Sequence, residues 1–289
     1  MPTKVEKDSV TGQDTTGHEW DGVRELNTPL PKWWLYVLYA TIAWAAVWCV
    51  LYPSVPGWRG YFHGLLGYSQ RDTVDADVRD VAALRAGTMD RIKALSFADI
   101  RKDPQLMAVA QTAGRIAFAN NCQPCHAAGG GGQVGYPALA AGGWIWGGSL
   151  DAIQQTILHG IRSGDPAARD SQMPRFGADG VLKPAEIQQV ADYVMTLYGR
   201  ADAGRDVAAG KQLYADNCAT CHGDAGQGDR EKGAPRLASR VHLYGETRDT
   251  VVAQVTAPHM GVMPSWNTRL DAATIKSLTL YVHALGGGE

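Results

Sequence analysis

Two stretches decide how this chain is read: GRIAFANNCQPCH at residues 114–126 and GKQLYADNCATCH at residues 210–222. Each has a Gly-basic dipeptide, then an Ala-Asn/Asp-Asn step, then Cys-x-x-Cys-His at the same interval. The second lies 96 residues after the first. The frame continues with Met173-Pro-Arg-Phe176 in the first copy and Met263-Pro-Ser-Trp266 in the second. Both copies close on an apolar-periodic segment: Ile187, Tyr193, Val194, Leu197 with Gly199, and Ile275, Tyr281, Val282, Leu285 with Gly287. These segments read as amphipathic helices ended by glycine. The repeat sets two domains, 105–200 and 201–289, in an all-α chain.

Cys-x-x-Cys-His is the attachment signature of c-type haem. A single helical turn presents two thiols to the two vinyl groups of one haem, and the adjacent His reaches the iron. A four-Cys zinc ribbon wants its pairs about 15–20 residues apart, and a redox dithiol needs no following His and sits near a βαβ pattern. Two haems are therefore expected, one on Cys122, Cys125 and His126 and one on Cys218, Cys221 and His222.

A Met sixth ligand raises the haem potential into the range of electron carriers. Met173 and Met263 are the candidates, because only they repeat the Met-Pro-x-aromatic pattern. Met195, Met260, His159, His242, His259 and His283 compete. With copies read as self-contained, Met173 serves the first haem and Met263 the second. Pro137 and Pro235 follow the motif His by 11 and 13 residues, each in a Pro-x-Leu context. A backbone carbonyl there would take the other ring N–H of the His and fix its orientation. Gly129–Gly132 reads as a flexible loop without the Lys-Ser/Thr of a phosphate loop.

Working toward the N-terminus, residues 33–52, WWLYVLYATIAWAAVWCVLY, carry no charge. As a helix they span about 30 Å, the thickness of a bilayer's hydrocarbon core. Trp33 and Trp34 sit at one end and Tyr52, Trp58 and Tyr61 at the other, an aromatic belt. A core helix is excluded by the uninterrupted length. A cleaved signal is excluded by the 32 mostly polar residues that come first. The segment reads as an uncleaved anchor, with a segment 1–32 before it and a connector 53–104 after it. The connector's helix formers, from about Val74 to Ser96, suggest one or two short helices before Asp103-Pro104. Charge near the anchor does not orient it, since Arg24 and Lys32 on one side face Arg59 and Arg71 on the other. Covalent haem addition in bacteria takes place outside the cytoplasmic membrane, which puts the N-terminus inside and the haem domains in the periplasm.

Composition agrees. The 289 residues hold 27 basic and 29 acidic side chains, a formal charge of -2, so there is no basic excess for nucleic acid. Five Cys are an odd count: two thioether pairs plus Cys49 inside the anchor.

The stretch GHEWDGVRELNTPLPKWW, residues 17–34, and GLLGY, residues 64–68, resemble the dihaem cytochrome c subunit of cbb3-type cytochrome c oxidases. Val23 and Thr28 depart slightly from that family's pattern. The resemblance covers essentially the whole chain. It implies one transmembrane helix followed by two tandem class I cytochrome c domains. It implies an electron-transfer subunit without catalysis of its own, with two covalent haems c. It implies a cytochrome bc1 complex or a small cytochrome c as donor. A monohaem cytochrome c subunit and the catalytic haem–copper subunit are the acceptors. Segment 1–32 is expected to dock on that catalytic subunit at the cytoplasmic side. A freestanding membrane-anchored dihaem shuttle and a dihaem peroxidase are the rival readings.

Overall fold

A computed structural model describes residues 4–200, 202, 204–286 and 288–289. It divides into two compact units, Met1–Ala83 and Leu84–Glu289. Gly287, read above as a helix stop, lies outside the described residues.

The first unit opens on an antiparallel hairpin, β1 (Thr15–Trp20) and β2 (Val23–Leu26). Asp21 and Gly22 join the strands, both at positive φ, as a two-residue hairpin turn demands. Arg24 on β2 reaches Glu6 at 2.6 Å and Glu19 at 3.0 Å, tying the preceding chain to the hairpin. Segment 1–32 thus has strand structure of its own, which sequence reading left undefined.

Helix α1 runs Lys32–Leu51, one residue earlier at each end than the uncharged stretch. It is the one helix among the described residues long and apolar enough to cross a membrane. No residue of it is buried within the chain. A helix that is apolar all round needs a non-aqueous environment. Its last carbonyls are nonetheless all satisfied. Trp48 O accepts from Tyr52 N (2.9 Å), Cys49 O from Ser54 Oγ (2.8 Å), Val50 O from Leu65 N (2.9 Å) and Leu51 O from Leu66 N (3.1 Å). The short ladder β3 (Pro56–Gly57) and β4 (Gly60–Tyr61) turns the chain back so that Leu65 and Leu66 can do this. Four orphan carbonyls at a helix end would otherwise seek water.

Helix α2 (Gln70–Ala94) is one 25-residue element where the sequence suggested one or two short ones. Its apolar spacing is irregular because only its last turn reaches a core, through Ile92. Ser96 caps α3 (Phe97–Lys102), and Asp103 caps α4 (Pro104–Asn121) with Pro104 in the first turn. The Asp-Pro step therefore starts a helix rather than ending the fold.

The remaining helices are α5 (Gln123–His126), α6 (Leu150–His159), α7 (Pro184–Leu197), α8 (Ala208–Asn217), α9 (Ala219–His222), α10 (Arg248–Thr256) and α11 (Ala272–His283). Their packing cuts across the sequence boundary at 200/201. Helix α4 of the first copy packs on α11 of the second, and α6 packs on α11 as well. Helix α7 of the first copy packs on α8 and α10 of the second. Two lobes result. Phe118, Ile153 and Ile157 share one core with Ile275, Leu278 and Val282. Phe176, Ile187, Val190 and Val194 share the other with Tyr214, Val251 and Val255. The first lobe is thus made from both ends of the cytochrome region, and the second is inserted between them.

Glycine sets each crossing. A Cβ on Gly114 would meet the Ser277 carbonyl and, at 2.7 Å, the Cβ of Tyr281. A Cβ on Gly210 would meet the Gln189 carbonyl and, at 3.2 Å, the Cβ of Tyr193. Beside these points Phe118 tilts against Tyr281 at 5.4 Å and Tyr214 against Tyr193 at 5.1 Å.

A soluble fragment of residues 84–200 holds the whole first sequence copy but lacks α11. It is expected to melt without a cooperative transition by circular dichroism, whereas residues 84–289 melt cooperatively. A sharp transition in the shorter fragment would contradict the crossed packing.

Candidate functional site

Each attachment motif is a helix end turned into a second helix. Cys122 closes α4 and opens α5, and Cys218 does the same between α8 and α9. The carbonyl of Cys122 accepts from Cys125 N (3.1 Å) and His126 N (2.8 Å). Cys218 O accepts from Cys221 N (3.1 Å) and His222 N (2.9 Å). One turn thus holds two thiols and an imidazole in each motif.

The loop after each His is built to orient the ring. His126 Nδ1 lies 3.0 Å from the Pro137 carbonyl, and His222 Nδ1 lies 3.0 Å from the Pro235 carbonyl. A carbonyl only accepts, so Nδ1 carries the hydrogen and Nε2 keeps its lone pair. Burial lowers the pKa of both rings, which keeps them neutral at physiological pH. A neutral imidazole with Nε2 free is a metal ligand.

The glycine run is tied into backbone hydrogen bonds. Gly132 N donates to His126 O (2.8 Å), and Leu139 N donates to Gly130 O (2.7 Å). Copy two repeats this with Gly228 N to His222 O (2.8 Å) and Leu237 N to Gly226 O (2.8 Å). Gly132 and Gly228 have φ of +74° and +77°. A Cβ on Gly132 would lie 2.6 Å from Ala138 N, and one on Gly228 would lie 2.7 Å from Ala234 O. The two extra residues of copy two fall in the turn between these landmarks, where Asp229 pairs with Ala234 in place of Gln133 with Tyr136.

Burial pushes the Cys122 and Cys218 thiols up to about 11. A zinc ligand or a redox nucleophile needs a stabilised thiolate, so these environments disfavour both. No cluster of three or more His, Cys, Asp or Glu that could hold a metal ion occurs among the described residues.

The methionines do not group as the separate copies suggested. Met263 packs in the core with Cys122, Leu139, Phe118 and α11. Met173 packs in the core with Cys218, Leu237, Tyr214 and α7. The expected grouping of Met173 with Cys122, Cys125 and His126, and of Met263 with Cys218, Cys221 and His222, is therefore replaced by a crossed one. The reason is the path of the chain. Ile161 N and Met263 O are 3.0 Å apart, as are Met263 N and Ile161 O, and Trp266 N donates to the end of α6. The loop of Met173 is tied instead to the end of α10, where Ala178 N donates to Thr256 O at 2.9 Å.

The competing side chains are engaged elsewhere or exposed, except Met195, which packs against the same core as Met173. His159 contacts Asp165 at 3.0 Å, His242 stacks on Tyr198 at 3.6 Å, and His283 Nε2 meets Glu289 O at 3.1 Å. His259 lies beside the Tyr244 ring, Met260 is exposed, and Met195 sits inside α7. Each lobe thus offers two thiols, one oriented neutral imidazole and a thioether (the second lobe has Met195 as well as Met173), a donor set that fits haem c.

Three families match segments of the chain in order. Residues 12–59 match the N-terminal domain of cytochrome oxidase-cbb3, FixP; residues 111–198 match cytochrome c; residues 205–282 match cytochrome c oxidase, cbb3-type, subunit III. Full-length relatives agree. A cbb3-type cytochrome c oxidase subunit FixP from Bradyrhizobium sp. (strain ORS 278) is 47% identical over 100% of both chains. A subunit CcoP from Azospirillum sp. (strain B510) is 50% identical over 98% of each, and one from Cereibacter sphaeroides is 44% identical over 100% of each.

Gly132→Ala should force the Pro137 carbonyl off His126, at a cost of roughly 1–2 kcal/mol for the left-handed backbone alone. A haem held by Cys122 and Cys125 should stay attached, while its reduction potential rises, because an imidazole without its Nδ1 acceptor is a weaker donor to ferric iron. An unchanged potential in a redox titration would show that the carbonyl does not tune the ring.

Proposed function

This chain belongs to the FixP/CcoP family of cbb3-type cytochrome c oxidase subunits, and from that membership we propose that it carries electrons through two haems c held in crossed lobes. Electron transfer as a cytochrome c subunit of the oxidase is the function of the family. In the proposal, Cys122, Cys125 and His126 hold the first haem with Met263 as sixth ligand. Cys218, Cys221 and His222 hold the second with Met173. When bound, haem c supplies a one-electron iron couple. The protein's own residues do the rest. The Pro137 and Pro235 carbonyls orient the rings, and burial keeps both imidazoles neutral.

The observation that carries this reading is the joint presence, in each lobe, of an oriented His with Nε2 free and a Met in the same core. If His and Met both hold each iron, no open position would remain for a substrate, and the subunit would relay electrons without bond chemistry. Donors are a cytochrome bc1 complex or a small cytochrome c. Acceptors are the monohaem cytochrome c subunit and then the haem–copper subunit that reduces oxygen. The helix α1 anchors the chain in the bacterial inner membrane, with the hairpin β1–β2 on the cytoplasmic side against the catalytic subunit and the haem lobes in the periplasm.

Purification in mild detergent should bring down haem b and copper with this chain. Elution alone, without either, would leave a freestanding shuttle. A high-spin haem appearing on partial reduction would favour a peroxidase instead. The crossed ligands have their own test. In a chain with Cys218 and Cys221 replaced by Ala, only the first haem remains. There Met263→His should lower the potential by a sizeable part of the roughly 0.8 V that axial ligands span, and Met173→His should leave it in place. The reverse pattern would return each Met to its own copy.

A further inference from the structure

A cavity of about 850 Å³ lies within the first unit, where the chain passes from α1 to α2. Its walls are Trp48 of α1, Tyr52 at the end of that helix, Tyr61 of β4, Tyr68, and Arg71 in the first turn of α2. The volume falls in the range of small-molecule sites. Trp48 and Tyr52 stack with ring centroids 4.3 Å apart, and Tyr68 meets Tyr52 edge-on at 5.6 Å. Among the described residues of the lining only Arg71 is charged, and its guanidinium has neither a hydrogen bond nor an ion pair. Four aromatic side chains and one unpaired cation thus surround an open space.

Backbone hydrogen bonds fix these walls. Leu65 N and Leu66 N donate to Val50 O at 2.9 Å and Leu51 O at 3.1 Å, so residues 52–68 fold back on the end of α1. Gly64, at φ +79°, permits the return, since a Cβ there would strike the Leu51 carbonyl. Ser69 then starts α2, its Oγ accepting from Asp72 N at 3.2 Å, and this sets Arg71 in the first turn. The 20 residues of α1 rise about 30 Å, so with one end at one face of the hydrocarbon core the last turn reaches the other face. The cavity therefore opens at headgroup depth, where Trp and Tyr concentrate. The bilayer surface adjoins it, and the unpaired guanidinium is a complement for an anion there.

We infer that this cavity binds the headgroup of an ammonium-bearing phospholipid, with the phosphate on Arg71 and the ammonium among the Trp and Tyr rings. The inference rests on α1 spanning the bilayer. A lipid phosphate is charged throughout the physiological pH range, and a guanidinium can meet it in two parallel hydrogen bonds. An ammonium is attracted to the faces of Trp and Tyr. Phosphatidylethanolamine joins the two groups by a two-carbon bridge, whereas phosphatidylglycerol offers the phosphate alone. Free phosphate would satisfy Arg71 and leave the aromatic wall unused. A lipid held here touches Trp48 on one helix and Arg71 on the next, and so ties the start of α2 to the end of the anchor.

The test uses the full chain in detergent micelles, analysed by native mass spectrometry with phosphatidylethanolamine or phosphatidylglycerol as the probe. Alkaline carbonate extraction of membranes first reports on α1. Release of the chain would end the spanning reading, and this inference with it. With the chain retained in the membrane, the wild type should keep one phosphatidylethanolamine through activation that strips bulk lipid. It should keep phosphatidylglycerol roughly threefold to fivefold less. Arg71→Gln should lower retention of both lipids by about tenfold or more, and Arg71→Lys should restore most of it. Tyr61→Leu combined with Tyr68→Leu should abolish the preference between the lipids while binding persists. Circular dichroism checks that each variant keeps its helices. Equal retention of the two lipids by the wild type, or retention unmoved in Arg71→Gln, would overturn the inference. Displacement of the lipid by inorganic phosphate would overturn it too, since the ligand would then be a free anion. So would a photocrosslinker at position 68 that, in membranes, joins only to another protein, since a polypeptide would then fill the cavity.

Discussion

The close approach of two helices at one glycine in each lobe is the contact on which the rest of the cytochrome region depends. Gly114 lets α4 meet α11, and Gly210 lets α8 meet α7, at distances no side chain would permit. The aromatic pairs Phe118–Tyr281 and Tyr214–Tyr193 stand beside these points and seal them. Each glycine-bearing helix ends in the first Cys of its motif. The helix crossing therefore fixes where each attachment motif begins. From there the one-turn helix, the glycine loop and the proline carbonyl follow in order, and they leave Nε2 of each ring as the free nitrogen.

The same contact explains why the copies can exchange partners. Gly114 and Gly210 are equivalent, and so are Tyr193 and Tyr281. A helix that fits one partner fits the other in pattern. Helix α7 and helix α8 are near neighbours in sequence, so their contact closes a short loop, which costs little entropy. Helix α4 then takes α11, the one remaining partner of its kind. In chain order the second lobe has all its helices by Thr256, whereas the first waits for α11. The inserted lobe leaves and re-enters at one place, the ladder between Ile161 and Met263.

This degeneracy marks the limit of what the sequence discloses. The attachment motifs, the amphipathic helices and the anchor were legible because each is written in local spacing. The His-to-proline contact was legible as well, since a ligated imidazole needs an acceptor and a Pro-x-Leu segment follows at short range. The exchange of Met173 and Met263 was not, because identical patterns in both copies carry no information on which copy meets which. Segment 1–32 hid its hairpin in the Asp21-Gly22 turn, which was read only as part of a resemblance. Helix α2 hid its length because a mostly solvated helix has no apolar stripe to count.

The crossing also bears on how the two lobes work together. Ile161 is hydrogen-bonded to Met263 on one side and paired with Arg169 on the other, and the chain leads from Arg169 to Met173. Both methionines thus hang on one short assembly at the lobe junction, one in each core. Arg162 braces it, donating from Nε to Gly261 O at 2.8 Å and from Nη1 to Ser171 O at 2.9 Å. In two self-contained domains, a hinge could open between the domains without touching either Met173 or Met263. Here a hinge at the junction would pull on both. The arrangement therefore favours lobes held at a fixed separation, which is what the proposed relay through two haems would require.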